Sequence, residues 1–169
     1  MPELQSLVDI ADYHADAGHG LRLCFSRINP AYEERFTTYF PSEVDAELAE
    51  RMSETDMRSA LVLVARIEAA LRRDYIERCR LKMADDVSIA FRKIHKKRGQ
   101  RVRLDEDILD VWYQNVDPPG RKVVSTLRGL LKYRHWLAHG RYWDAGEQYS
   151  FQDSYVLAEA ILTDLPLCN

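Results

Sequence analysis

The chain has few cysteines, no long hydrophobic run and no strong excess of either charge. Its 169 residues include three dispersed cysteines, Cys24, Cys79 and Cys168, without CxxC or Cys/His spacing. This pattern speaks against a disulfide framework and a structural zinc site, and it fits a reducing compartment. No apolar run approaches the ~18 residues of a membrane span, and residues 1–26 lack a basic start and a hydrophobic stretch. We therefore expect a soluble, cytoplasmic protein with no membrane partner.

The balance of charge leaves the class of partner open. Lys and Arg number 24 against 27 Asp and Glu, for a formal net charge of −3. Bulk charge therefore neither favours nor excludes a nucleic acid, and only local charge can decide. The chain is 46% hydrophobic and 10% aromatic, which is typical of one folded domain with a substantial core.

Strand-like alternation is also scarce, since only residues 21–25 and 100–104 are short candidates. Helical periodicity predicts an all-α fold, an antiparallel bundle of about four core helices with extra N-terminal and C-terminal helices. We expect residues 1–41 to form an N-terminal extension that packs on the core, and residues 42–169 to form the helical domain. Start and stop signals predict an N-terminal helix that ends at Gly18 and Gly20. They also predict a long helix that runs to about Lys82, with start signals at Pro41-Ser42-Glu43 and at Ser53-Glu54-Thr55-Asp56. Further helices are predicted over Ala84–Lys97, over Asp105–Asn115, in the segment that stops at Gly140, and over Gln152–Leu165.

Two charged residues fall on predicted core-facing stripes. Arg134 lies in the middle of an apolar face of the helix that ends at Gly140, and Glu68 lies at the centre of a stripe on the long helix. Burying either charge alone would cost several kcal/mol, so we expect the two to pair across the bundle. Alternatively, one or both helices are rotated so that these side chains reach a cleft or water. The stripes comprise Val123, Val124, Leu127, Leu130, Leu131 and Ala138 around Arg134, and Met57, Leu61, Val64, Ala65, Leu71, Tyr75 and Cys79 around Glu68.

His135 and His139 lie one turn apart at the edge of the same helix, and Trp136 is expected to point away from the core. On a straight helix Arg134 and His139 would be about 140° apart. They can act together only if the helix end distorts at Gly140 or if two copies meet in a symmetric dimer. Two other interpretations stay open. The imidazoles could interact with the carbonyl groups of the helix end, or they could bind zinc, although the HExxH glutamate and an evident third ligand are missing.

The segment Arg134-His135-Trp136-Leu137-Ala138-His139 resembles the HEPN superfamily. The hallmark of that family is an arginine, four to six further residues and a histidine, near the end of a bundle helix. A polar residue directly follows the arginine, and here it is His135. The order of the helices, with a central glutamate on the long upstream helix, extends the resemblance over roughly residues 43–165.

The resemblance implies an all-helical, dimeric endoribonuclease without metal or other cofactor, often a toxin or defence factor that has an antitoxin partner. Other members have lost activity and only bind RNA or protein. Some HEPN toxins carry a tyrosine two residues after the histidine, which a partner nucleotidyltransferase modifies. That position is Arg141 here, and Tyr142 follows it.

The chemistry of these residue types fits RNA cleavage. Histidine occurs in both protonation states near neutral pH, so His139 can act as general base or acid while His135 assists. Arg134 would hold the scissile phosphate with its planar set of donors. If Glu68 occupies Arg134 instead, help must come from Arg128, Lys132 or Arg141.

A basic segment over residues 92–103, which includes Lys96, Lys97 and Arg98, has no acidic residue and could contact RNA phosphates. It could equally be a solvated helix end. Acidic residues concentrate in 43–56 and 105–110, which predicts a polarised surface. Two functions follow from the sequence: a HEPN-like ribonuclease that acts through Arg134 and His139, or a noncatalytic HEPN-like module that binds RNA or a protein.

Overall fold

A computed structural model describes residues 4–141, 143–144 and 146–168. The all-α prediction is confirmed, since this part of the chain contains helices and no β-strand. Residues 21–25 and 100–104 are therefore not strands. The helices are α1 (Leu7–Cys24), α2 (Tyr32–Phe36), α3 (Pro41–Leu81), α4 (Asp86–Arg98), α5 (Asp110–Asn115), α6 (Pro118–Ala138) and α7 (Phe151–Asp164), with a 3-10 turn at Gly99–Arg101 and a π-helical segment at Leu104–Leu109 between α4 and α5.

Helix α3 is one continuous helix of 41 residues, about 60 Å long at 1.5 Å per residue. It begins at Pro41, where the Glu43 carboxylate accepts a hydrogen bond from the backbone N–H of Phe40 at 2.7 Å. The second predicted start, at Ser53, is wrong because Ser53 lies inside the helix. A capping sequence marks a helix start only where the backbone before it leaves the helical conformation. Neither α3 nor any other helix in the described ranges is long and apolar enough to cross a membrane.

Helix α1 continues through Gly18 and Gly20 to Cys24, so the predicted stop at these glycines is wrong. Gly18 is buried against α3, where an added Cβ would lie 3.3 Å from Cε of Met52. This glycine therefore permits a close helix–helix contact. The helix ends at Cys24. The next residue, Phe25, belongs to a small cluster separate from the main core and composed of Phe25, Phe36 and Val44, with Tyr32 and Leu48 against it.

The main core surrounds the C-terminal half of α3, from Leu63 to Cys79. Helices α1, α4, α6 and α7 pack against it, and α1 contributes Ile10 to the core. Burial of a large apolar side chain stabilises a fold by roughly 1.5–3 kcal/mol, and the largest fully buried side chains are Trp112, Tyr75, Phe91, Leu63, Ile67, Leu71, Ile108, Leu109, Leu127, Leu130, Ile161 and Leu165.

A buried ion pair fixes the end of the chain against α3. Arg78 donates from Nε to Oδ1 of Asp74 at 2.7 Å, and the two residues are 4% and 0% exposed. The backbone N–H of Cys168 donates to the same carboxylate oxygen at 2.8 Å, and the Arg78 guanidinium donates to the carbonyl oxygen of Pro166. The sequence stripes did not indicate this pair, because Asp74 and Arg78 are spaced one turn apart like an ordinary surface pair.

Candidate functional site

Helix α6 presents Arg134 at the edge of its buried face. Asp117 caps the helix by accepting from the backbone N–H of Gly120 at 2.9 Å, and Pro118 occupies the first turn, where no N–H donor is needed. The buried face consists of Gly120, Val124, Leu127, Leu130 and Tyr133. Tyr133 therefore occupies the core-facing position that the sequence stripe gave to Arg134. The prediction that Arg134 lies in the middle of the buried face is wrong.

Glu68 and Arg134 approach each other across α3 and α6, with 3.5 Å between Oε1 and Nε. The pair is not deeply buried, since the Arg134 side chain is 41% exposed and that of Glu68 is 22% exposed. Glu68 lies beside the buried Ile67 and not at the centre of a buried stripe. An ion pair with this exposure stabilises the fold little. The guanidinium also has four N–H donors on its two Nη atoms, which suit phosphate oxygens.

The end of α6 brings the two histidine rings together. The helix ends at Ala138, and the backbone N–H of His139 donates to the carbonyl oxygen of His135 at 3.1 Å. Gly140 has φ 86°, which an L side chain rarely adopts. The chain therefore leaves the helix here, so the straight-helix angle does not apply to His139. The ring centroids of His135 and His139 lie 4.2 Å apart, and both residues are exposed.

Arg141 and Arg128, two of the predicted substrate contacts, are held by carboxylates. Arg141 donates to Glu54 on α3, and this hydrogen bond lowers the pKa of Glu54 and raises that of Arg141. Arg128 pairs with Asp105 at 2.9 Å and also with Asp110. Neither guanidinium reaches a phosphate without competition from a carboxylate.

The remaining predicted contacts lie elsewhere on the surface. Lys132 is exposed and shares a shallow 260 Å³ pocket with Arg128 and three acidic residues, Asp105, Glu106 and Asp110. Lys96, Lys97 and Arg98 are exposed on α4, and Arg98 pairs with Asp107 at 3.1 Å. The acidic residues of 105–110 are thus interleaved with arginines, and that end of the surface is not polarised as expected.

The basic segment is remote from the histidine pair. Arg72 on α3 donates to the carbonyl oxygen of Val102, within that segment, whereas Arg141 beside the histidines contacts Glu54. Glu54 and Arg72 are separated by about 27 Å along α3 at 1.5 Å per residue. The structure therefore brings His135 and His139 together and places Lys96, Lys97 and Arg98 well apart from them.

An aromatic group that the sequence analysis missed lies next to the histidines. Trp143 is 37% exposed, and its ring centroid is 5.9 Å from that of His135. The indole N–H of Trp136 donates to the carbonyl oxygen of Trp143 at 2.6 Å, and the Trp136 ring stacks on Tyr133 at 5.6 Å. Trp136 is partly buried against the core, so its predicted direction away from the core is wrong. The available signal was a tryptophan three residues after the helix stop at Gly140.

The segment that carries Trp143 is tied to α6 further along. Tyr149 is buried against α6 at Gly129, where an added Cβ would overlap the Tyr149 hydroxyl. That hydroxyl donates to the Glu147 carboxylate at 2.8 Å. A glycine on α6 therefore permits the close return of the chain towards α7.

Among the described residues, no group of three or more His, Cys, Asp or Glu side chains lies close enough together to hold a metal ion. Tyr142, next to the position of the modified tyrosine in some HEPN toxins, lies outside the described residues. No protein-family model, curated protein or solved structure matches this chain.

Proposed function

We propose that this protein is a HEPN-like endoribonuclease that cleaves RNA without a metal ion through Arg134, His135 and His139. The observation that carries the proposal is the approach of two exposed imidazole rings, 4.2 Å between centroids, the first of which directly follows a partly exposed arginine in the chain. Base, acid and cation are the three groups that metal-independent RNA cleavage needs. The likeness of the motif to the HEPN hallmark supports the same conclusion.

The reaction would use the ribose 2′-hydroxyl as the nucleophile. One imidazole takes its proton while O2′ attacks the adjacent phosphorus. The bond between phosphorus and O5′ breaks, and the second, protonated imidazole donates its proton to O5′. The products are a 2′,3′-cyclic phosphate and a 5′-hydroxyl, with no change in oxidation state.

The roles divide between the three residues. His139 acts as general base or acid, and His135 supplies the complementary proton transfer. Arg134 binds the phosphoryl oxygens through Nη while Glu68 orients it from the Nε side. Arg128, Lys132 and Arg141 would contact flanking phosphates only after they release their carboxylates, and Lys96, Lys97 and Arg98 would hold RNA far from the cut.

The resemblance adds a biological setting to this proposal. It implies a cytoplasmic homodimer in which two copies of His139 meet at one cleft, and a toxin or defence role with an antitoxin or nucleotidyltransferase partner. In that case expression of the wild type slows growth, and Arg134→Ala or His139→Ala relieves the effect. Equal growth of all three strains would contradict the toxin role.

The decisive test is RNA cleavage in EDTA by purified protein. We expect 2′,3′-cyclic phosphate ends from the wild type and a loss of at least a hundredfold in rate in His139→Ala. His19→Ala, which changes an exposed histidine on α1, is the matched control and should cleave normally. Cleavage that persists in His139→Ala, or intact RNA across several substrates, would contradict the proposal.

A noncatalytic HEPN-like module that binds RNA or a protein is the second candidate. It is favoured by the pairing of Arg134 with Glu68 and of Arg141 with Glu54, which engages two of the proposed cations. This function predicts intact RNA together with RNA binding that persists in Arg134→Ala. Titration of a labelled, structured RNA and a single-stranded RNA distinguishes it from the nuclease.

A further inference from the structure

We propose that Trp143 is a stacking platform for one unpaired base of a single-stranded nucleic acid, beside the scissile phosphate. This inference rests on the proposed function, because it names the form of the substrate at the same site. It adds a contact between an aromatic face and a base to the phosphate contact that the proposed function gives to Arg134. The substrate is therefore a single strand whose bases are available, and not a duplex.

The first argument is the position of the ring. Trp143 is 37% exposed, and its centroid is 5.9 Å from the ring of His135, which itself lies 4.2 Å from His139. A base on the indole would therefore be a direct neighbour of the imidazoles. Its own phosphodiester would lie within their reach, since base and phosphate belong to one nucleotide.

The second argument is that the backbone that carries the ring is held in place from α6. The carbonyl oxygen of Trp143 accepts a hydrogen bond from the indole N–H of Trp136, and Trp136 stacks on the buried Tyr133. Tyr149 packs on Gly129 at the far end of the same segment. A backbone that is already anchored to a helix loses little freedom when the side chain that it carries binds a ligand.

The third argument concerns charge. Arg141 and Arg128 are paired with carboxylates on α3 and in 105–110, so phosphate contacts near the histidines are few. Stacking on an aromatic ring supplies affinity without charge, and it tolerates all four bases because each has a π face. The site therefore favours unpaired nucleotides with little preference for sequence.

The test uses single-stranded DNA, which lacks the 2′-hydroxyl and therefore binds without being cut. An oligonucleotide of twelve nucleotides with one abasic position, moved along the strand, is titrated against the full-length protein. We expect one or two abasic positions to weaken binding of the wild type about tenfold. In Trp143→Leu the profile should be flat, and Trp143→Phe should restore it.

The matched control is Tyr113→Leu, which removes another aromatic ring of equal exposure (38%) on α5. It should leave the abasic profile unchanged. The salt dependence of binding should also stay the same in Trp143→Leu, because stacking releases no counterions. Thermal unfolding of each variant verifies that the fold is intact.

Two outcomes overturn the inference: a flat abasic profile in the wild type, or a wild-type profile in Trp143→Leu. They are distinct from a failure of the proposed function. RNA that stays intact while the abasic profile appears would reject the nuclease and keep the platform. RNA cleavage that depends on His139, together with a flat profile, would do the reverse.

Discussion

At the scale of single residues, the neighbours Tyr133 and Arg134 show what a helical period cannot decide. They differ by 100° around α6, and the buried face includes Tyr133 while Arg134 is partly exposed. A tyrosine side chain can lie in the core or at its edge because it is amphipathic. The sequence alone therefore could not decide whether the buried face of α6 is centred on residue 133 or on residue 134. The pairing of Arg134 with Glu68 tolerates this rotation, because both side chains are long.

This difference predicts unequal stability effects on adjacent residues. Tyr133→Ala should lower the free energy of unfolding by about 3 kcal/mol, because it empties part of a packed core. Arg134→Ala should lower it by less than about 1 kcal/mol, as expected for an exposed ion pair. Urea unfolding followed by circular dichroism measures both. Equal losses would contradict the burial of Tyr133.

Replacing Arg78 should destabilise the fold far more than replacing Arg80, the next arginine along α3, which also pairs with a carboxylate. Arg78→Ala leaves the fully buried Asp74 without its partner, which should cost about 3–5 kcal/mol. Arg80→Ala breaks an exposed pair with Glu77 and should cost less than about 1 kcal/mol. The comparison of the two urea midpoints gives the result, and similar midpoints would place Arg78 outside the core.

At the scale of elements, the helices were predictable where a local chemical signal begins or ends them. Asp85 and Asp117 cap α4 and α6, and Gly99 and Gly140 end the same two helices. The signals failed where packing overrode them. Gly18 ends no helix because a close neighbour, Met52, occupies the space beside it, and that contact between distant parts of the chain is invisible to a local pattern.

The segment between α6 and α7 depends on one such contact, at Gly129. Gly129→Ala should destabilise the protein by about 1–3 kcal/mol, because the new methyl group overlaps the Tyr149 hydroxyl. The double variant Gly129→Ala, Tyr149→Phe removes the hydroxyl and should recover part of the loss. Gly20→Ala is the control, because Gly20 lies inside α1 and an added Cβ there would meet no other atom. It should stabilise the protein by about 0.5–1 kcal/mol. A loss at Gly129 no larger than at Gly20 would contradict the contact.

The same segment should respond to acid through Glu54. The hydrogen bond from Arg141 lowers the pKa of Glu54 below its ordinary 4.5. A carboxyl with a lowered folded-state pKa stabilises the protein above the unfolded pKa, and this contribution is lost as the pH falls through the folded value.

The measurement is urea unfolding of the wild type and Glu54→Gln at pH 6 and pH 3. The difference between them should be at most about 1 kcal/mol at pH 6, because both partners are partly exposed, and it should shrink at pH 3. Glu50→Gln, one turn earlier on α3, should show no such change. A difference that grows in acid would reverse the sign and reject the pairing.

At the scale of the whole molecule, the class of fold follows from composition and period, whereas its assembly does not. Helical spacing of apolar residues was enough for an all-α protein. The rotation of α3 and α6, the return of the last residues to Asp74 and the approach of Trp143 to His135 are long-range contacts. Each depends on which helices become neighbours, and a local pattern carries no such information.

The two separate apolar clusters share one helix, and this has a consequence for motion. From Leu63 onwards, α3 runs through the main core. Its first turns pack instead against a small cluster whose buried residues are Phe25, Phe36 and Val44. Amide protons in those first turns should therefore exchange with deuterium through local fraying, orders of magnitude faster than those around Leu63 to Leu71. The boundary between fast and slow exchange should therefore fall within one continuous helix, whose N-terminal turns open locally while its C-terminal half stays protected.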